Sequence, residues 1–209
     1  MTKRTITVVG SGQAVGEPDV ARADLGVRAV RRTVGEALER ANQAAAEIIE
    51  ACRTFEVAAV DVQTHRLMIQ PQYDHRNGRN TVTGYEASNM VSVTCRDLGR
   101  LGELLAATVA AAGDDAVING LQFSVDDPAE LRAAAREAAW ADAKSRAAQL
   151  AELANATLGS ALAIDEVPSG GAVPRGKAVR MEAAFASDVP IEAGSESIAV
   201  TLTVTFSIG

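Results

Sequence analysis

The chain has 209 residues, of which 47% are hydrophobic and 22% charged, and its formal net charge is −7. This length and composition exclude extensive disorder, and the acidic balance and the 3% aromatic content argue against nucleic acid as the main partner. Two cysteines and two histidines are too few for a multi-ligand Cys/His metal cluster, and no segment approaches the ~20 apolar residues of a membrane-spanning helix.

The first part of the chain predicts two strands followed by a helix. Residues 6–15 and 20–30 have strand patterns, and Gly16-Glu17-Pro18-Asp19 between them is typical of a turn. Thr33 and Glu36 have the spacing of a capping box at the start of a helix. Apolar residues then recur every three or four positions, which predicts a helix with one face packed on a sheet or a second helix. These residues are Leu38, Ala41, Ala45, Ile48, Ile49 and Cys52.

Two long extended segments follow and predict a β-hairpin over residues 60–73 and 82–96, with Asn77-Gly78 at its turn. Each strand would reach roughly 40 Å, longer than a usual strand, so we expect a ribbon that projects beyond its own core. Alternation places Tyr85, Val91 and Val93 on one face, an apolar strip that would need a partner surface. We therefore expect an oligomer interface on this hairpin. Its candidate residues are Tyr73, Asn77, Gly78, Tyr85, Val91 and Val93.

The rest of the chain predicts two helices and three strands. Asp97 begins a helix that Gly113 ends, and residues 116–125 form a strand. An alanine-rich helix then runs from Asp126-Asp127-Pro128 to about residue 156, with an apolar stripe that includes Trp140 and Leu150. Strands are predicted at residues 158–167 and 198–208. In the last strand strict alternation predicts that Leu202, Val204 and Phe206 are buried by helices.

The predicted order is therefore β-β-α-β-β-α-β-α-β-β. Because hairpins dominate, we expect an α+β fold, an antiparallel-rich sheet with three helices packed on it and a long projecting hairpin. We expect one domain over residues 1–209, or two subdomains over about 1–96 and 97–209. Residues 168–190, rich in Gly, Pro and Ala, are read either as a flexible surface loop or as a partner-binding segment ordered by contact.

The cysteines and the start of the chain leave two questions open. Cys52 and Cys95 are interpreted as small buried residues, and a disulfide between them stays an alternative because sequence does not determine their distance. The first residues contain no apolar leader, so the chain as written predicts a cytoplasmic protein. A chain whose leader had been removed would look the same and would belong in the periplasm or cell envelope.

The residue chemistry does not favour catalysis. His65 and His75 have only Asp61 and Asp74 as nearby carboxylates, too few for a convincing metal site. The acid pairs at 114–115 and 126–127 fall at element boundaries, where caps and turns favour Asp. There is no Gly-x-Ser-x-Gly nucleophile motif and no third glycine after Gly10-Ser11-Gly12 for a phosphate loop. We expect neither an enzyme nor a bound metal or cofactor.

Several short segments, in order along nearly the whole chain, resemble the SIMPL-domain family, which includes bacterial periplasmic immunogenic proteins. The segments are Val9-Gly10-Ser11-Gly12, Glu17-Pro18-Asp19, Val60-Asp61-Val62-Gln63-Thr64, Pro71-Gln72-Tyr73, Gly84-Tyr85-Glu86-Ala87, Asn119-Gly120-Leu121-Gln122-Phe123, Asp142-Ala143-Lys144 and Pro190-Ile191-Glu192-Ala193-Gly194.

The resemblance implies no established activity, cofactor or catalytic residue. In this family some relatives are exported, and some are associated with envelope or oxidative-stress phenotypes. The resemblance also implies ring- or channel-like homo-oligomers. We therefore expect a non-catalytic, self-assembling protein, a scaffold or an envelope-stress protein. The alternative is a small-ligand-binding protein or weak enzyme whose polar pocket the sequence does not reveal.

Overall fold

The structure is a computed structural model that describes residues 4–76, 79–167 and 191–209, with side chains described outside residues 75–80. Its strands and helices follow the predicted order. They are β1 (Thr5–Gly16), β2 (Val20–Arg31), α1 (Val34–Thr54), β3 (Val62–Arg76), β4 (Arg79–Cys95), α2 (Leu101–Ala112), β5 (Ala116–Ser124), α3 (Ala129–Leu153), β6 (Leu158–Val167) and β7 (Glu196–Ile208). The predicted loop at 168–190 and the Asn77-Gly78 turn lie outside the described residues.

The strands form two antiparallel sheets, which confirms the predicted α+β class but divides the strands that we expected in one sheet. One sheet has the order β1-β7-β6 and the other β3-β4-β2-β5. The chain accordingly forms two compact units, with boundaries after Pro18 and after Ser124 rather than near residue 96. We call β1, α3, β6 and β7 the terminal unit, and the elements between β2 and β5 the central unit. The division arises because β1 pairs along its whole length with β7, near the other end of the chain.

In the central unit, α1 and α2 cover one face of the sheet. Thr33 and Glu36 form the predicted capping box at the start of α1. Cys52 of α1 and Cys95 of β4 are buried in the same core and are free thiols, so the structure contains no disulfide between them. Burial raises the pKa of the Cys52 thiol to about 11, which keeps it protonated at neutral pH.

In the terminal unit, α3 packs on the sheet through a ridge of small residues. The alternation predicted for β7 is confirmed, since Val200, Leu202, Val204 and Phe206 are buried. Every fourth residue of α3 is a buried alanine, so the ridge follows a spacing of four and leaves Leu150, which we placed in the stripe, exposed. The ridge consists of Ala135, Ala139, Ala143, Ala147 and Ala151.

The alanine ridge approaches β1 at two glycines. A Cβ at Gly10 would overlap the backbone oxygen of Ala139, and one at Gly12 would overlap that of Ala135. Any larger residue on either element would hold the helix away from the sheet. The close approach explains why the glycines of β1 stand opposite an alanine-rich helix.

Helix α3 also binds the backbone of β1 directly. The Ser11 backbone N–H donates to Asp142 Oδ2 at 2.9 Å, and Arg146 Nε donates to Asp142 Oδ1 at 2.9 Å. These two donors lower the pKa of Asp142 below its usual range. A helix carboxylate thus occupies part of the free edge of β1 and reduces its capacity to pair with another strand.

We expect Gly12→Ala to destabilise the protein by about 1–3 kcal/mol, because the added methyl group meets the helix backbone. Gly120→Ala is the matched control, since a Cβ at this strand glycine meets no atom within 4 Å and should change stability by less than about 0.5 kcal/mol. Urea unfolding measures both. Equal effects for the two variants would contradict the close approach of α3 to β1.

We expect the contribution of Asp142 to stability to depend on pH. Its pKa is lowered in the folded state, so its contribution is present above the unfolded pKa of about 3.9 and is lost as pH falls through the folded value. Asp142→Ala should therefore be less stable than the wild type at pH 7, and the difference in urea midpoint should shrink toward pH 2.5. The control is Glu39→Ala at an exposed residue, for which the difference in urea midpoint should be small at both pH values. The same difference for Asp142→Ala at pH 7 and pH 2.5 would refute the prediction.

Candidate functional site

Strand β3 lies at an edge of its sheet and carries exposed apolar side chains. Within the described residues it pairs only with β4, because β4 lies between β3 and β2. Leu67 is 58% exposed and Ile69 is 40% exposed, and Met68 between them is also exposed. Tyr73 further along β3 and Val82 on β4 extend this surface. An apolar edge strand of this kind is a typical site for association with another chain.

The position of α1 explains why Leu67 and Ile69 are uncovered. The register places Ile69 beside Ala87 of β4, on the side of the sheet where α1 packs. Ala87 is buried in a cluster with Ala37 and Ala41 of α1. The helix therefore covers β4 but leaves Leu67 and Ile69 of β3 exposed.

The predicted interface residues are divided by this arrangement. Tyr73 is exposed on β3, and Tyr85 is half-buried against the cluster around Ala87. Val91 and Val93 are fully buried in the core of the central unit, so the face that we took as an apolar strip lies under the helices. Asn77 and Gly78 lie outside the described residues. The exposed apolar strip is thus on β3, where the sequence analysis had not placed it.

Two irregularities limit where β3 can pair with another strand. The register shifts between Thr64 and Arg66, at His65, and again between Gln72 and Tyr73. Pro71 also lacks a backbone N–H. The segment 66–70 is therefore the regular part of the edge, and it contains Leu67, Met68 and Ile69.

A buried carboxylate holds β3 against β4 in this region. Glu86 of β4 is buried, and its two carboxylate oxygens accept hydrogen bonds from Gln70 Nε2 at 3.1 Å and Gln72 Nε2 at 2.8 Å. Arg28 Nε of β2 lies 3.7 Å from Glu86 Oε1. This cluster is not identified in the sequence analysis. Its signal in the sequence is two glutamines spaced two apart on one strand of a hairpin, with a glutamate on the other.

Two of the other carboxylates singled out in the sequence, Asp61 and Asp127, have structural partners. Asp61 accepts two hydrogen bonds from Arg96, at 3.0 and 3.1 Å, and is not a free metal ligand. Asp127 accepts from the backbone N–H of Ala129 near the start of α3. His65 is exposed at the β3 bulge. Among the residues that the structure describes, no three His, Cys, Asp or Glu side chains form a group that could hold a metal ion.

Asp115 connects three elements of the central unit. Its carboxylate accepts hydrogen bonds from Arg31 at the end of β2, at 3.0 Å, and from Arg40 of α1, at 2.8 Å. Arg40 also donates to the carbonyl oxygen of Ala112 at the end of α2. Burial raises the pKa of Asp115, but the two guanidinium groups outweigh it and hold the pKa below its usual range. The acid pair at 114–115 thus provides a structural carboxylate.

A cavity of about 210 Å³ lies between the end of α1 and the junction of β4 with α2. Phe55 and Leu104 form apolar walls, and the guanidinium carbon of Arg100 lies 4.8 Å from the centre of the Phe55 ring. Cys95 also lines the cavity and donates from Sγ to the Asp97 carbonyl oxygen at 3.2 Å. Burial raises the pKa of the Cys95 thiol, so it is a poor nucleophile at neutral pH. The lining thus combines apolar walls with charged groups of both signs, including Glu56, Asp61 and Asp97 beside Arg96 and Arg100.

Comparison with known proteins identifies the relatives of this chain. None of the helices in the described ranges is long and apolar enough to cross a membrane. The chain is 32% identical to the 26 kDa periplasmic immunogenic protein of Brucella melitensis over 97% of its own length and 84% of that protein. It is 28% identical to the uncharacterized protein YggE of Escherichia coli over 70% of its length and 58% of that protein. The family model SIMPL, a protein of unknown function (DUF541), matches residues 6–206, and the chain therefore belongs to the SIMPL family.

Proposed function

We propose that this chain is a non-catalytic protein that assembles into homo-oligomers through β3, in the periplasm or cell envelope. The observation that carries the proposal is the apolar segment Leu67-Met68-Ile69, exposed on an edge strand whose outer side pairs with no described residue. A scaffold or envelope-stress role follows from the family resemblance. The location is supported by the similarity to a Brucella protein named as periplasmic.

Association through β3 has a clear driving force. Full burial of a leucine, isoleucine or methionine side chain stabilises by roughly 1.5–3 kcal/mol, so completing the burial of three half-exposed ones provides several kcal/mol. Edge strands of monomeric proteins usually avoid such a surface by carrying charges. In this segment only Arg66 is charged, and the Glu86 cluster holds the strand in one geometry before a partner arrives.

The absence of catalysis is supported by how the candidate acid–base groups are used. Asp61, Asp115 and Glu86 are each occupied by arginine or glutamine donors. Both cysteines are buried, with thiol pKa values raised by that burial. Asp61 and Cys95 line the same cavity, but Asp61 is held there by two hydrogen bonds from Arg96 and burial raises the pKa of the Cys95 thiol.

We expect the double variant Leu67→Lys, Ile69→Lys to be monomeric at micromolar concentration, because two charges replace the apolar contact. The matched control is Val60→Lys, which changes an 88% exposed valine of the same unit outside the hairpin and should leave assembly intact. Light scattering coupled to gel filtration gives the mass, and circular dichroism checks the fold. A monomeric wild type, or an oligomer that tolerates the double variant, would refute assembly through β3.

A second candidate function, binding of a small molecule, is favoured by the cavity beside Arg100. Ala58 is an exposed residue of its lining, so Ala58→Trp should fill the space with little cost to the core. If the cavity holds a cellular ligand, native mass spectrometry of protein purified from cells should detect a small-molecule adduct on the wild type but not on Ala58→Trp. Identical spectra without an adduct would eliminate this candidate.

A further inference from the structure

We infer that β3 of one copy pairs antiparallel with β6 of a second copy, with Arg66 opposite Asp165 and Leu67 opposite Ile164. This inference rests on the proposed assembly through β3 and names its partner surface. Such an interface is heterologous, because two different surfaces of the chain meet. When two copies pair, the β6 edge of one copy and the β3 edge of the other stay unpaired.

The strand edges in the described residues differ in how open they are. Asp142 of α3 occupies part of the β1 edge through the Ser11 N–H. Strand β5 carries no charged residue, and Ile118 is the one large apolar side chain that it exposes. Strand β6 pairs within the described residues only with β7 and exposes Leu162, Ile164 and Val167, of which Ile164 is 56% exposed. Of the edges other than β3, β6 therefore offers the most exposed apolar surface.

The two edges also have complementary charges. Arg66 on β3 and Asp165 on β6 are exposed, and neither forms an ion pair with any part of the chain that the structure describes. The neighbouring Glu166 is already occupied by Arg136, at 2.7 and 3.2 Å. Pairing β3 with a second β3 would give Arg66 no such partner in the regular segment, since the carboxylate of that strand, Asp74, lies beyond the second bulge. Opposite charges across the strands favour β6.

The regular parts of the two edges have the same length. Between its first bulge and Pro71, β3 is regular over residues 66–70, and beyond its own register shifts β6 is regular over residues 163–167. Five residues span about 17 Å, a usual strand length. With Arg66 opposite Asp165, these regular parts overlap over residues 66–68 and 163–165, which gives a ladder of three regular pairs.

A single register satisfies the charge and the apolar contacts together. With Arg66 opposite Asp165 in an antiparallel ladder, Leu67 falls opposite Ile164, and alternation places the two pairs on opposite faces. A shift by one residue in one direction would place Arg66 opposite Ile164 and Leu67 opposite Ala163. A shift in the other direction would place Arg66 opposite Glu166 and Leu67 opposite Asp165. The first shift loses the charge pair, and the second places Leu67 opposite a carboxylate and Arg66 opposite Glu166, which Arg136 already occupies, so the proposed register is favoured.

The first test reverses the two charges separately and together. We expect Arg66→Glu and Asp165→Arg each to raise the dissociation constant of assembly by about tenfold or more, because each places like charges opposite one another. The chain with both changes should recover most of the wild-type affinity. Arg32→Glu and Glu39→Arg make the same charge changes at exposed residues on other elements and should have little effect. Analytical ultracentrifugation measures all five.

The second test mixes two chains that each lack one surface. Leu67→Lys, Ile69→Lys removes the β3 surface, and Ile164→Lys removes the β6 surface; each should be monomeric alone. Mixed in equal amounts they should form a 1:1 heterodimer, because the intact β6 of the first chain meets the intact β3 of the second. Native mass spectrometry of chains with different isotope labels detects this species.

The outcomes separate this inference from the proposed assembly. Should the β3 variants dissociate the oligomer while Asp165→Arg and Ile164→Lys assemble like the wild type, β3 meets another surface and the β6 pairing is overturned. Failure of the double charge reversal to restore affinity would overturn the Arg66–Asp165 register. If the β3 variants leave the oligomer unchanged, the proposed assembly through β3 fails as well.

Discussion

The sheet that joins the two ends of the chain depends on the close approach of α3 to β1. Glycine at positions 10 and 12 and an alanine at every fourth position of α3 allow the helix backbone to lie against the strand backbone. That distance lets Asp142 reach the Ser11 N–H, and it places Trp140 beside Phe206, with ring centres 5.7 Å apart. The small residues thus determine both the core of the terminal unit and the state of one of its strand edges.

The strand edges differ in how far they are open to pairing with another chain. Asp142 occupies part of the β1 edge, and no comparable carboxylate contact is made to the β3 and β6 edges within the described residues, where apolar side chains are exposed. On β3, the bulge at His65 and Pro71 confine any further pairing to a short segment. That segment, residues 66–70, carries Leu67, Met68 and Ile69 exposed on the edge.

The polar residues support this interpretation because they mostly serve the fold. Asp115 joins β2, α1 and the end of α2, and Glu86 receives the two glutamines of β3. A carboxylate held by several donors stabilises one arrangement of strands and helices. In this chain Asp115 holds together elements of the central unit, and Glu86 holds β3 against β4.

Local sequence patterns determined the elements of this protein, their order and most of their caps. The alternation of β7, the capping box of α1 and the long hairpin depend on residues close in sequence, so these predictions are confirmed. The tertiary structure alone decided which faces are covered. Alternation separates Val91 and Val93 from the other face of β4, but only the packing of α1 and α2 shows that theirs is the buried one. Likewise, β3 is an edge because β4 pairs on its other side with β2, and β1 meets β7 from the far end of the chain. Such contacts join residues distant in sequence, and no local period carries information about them.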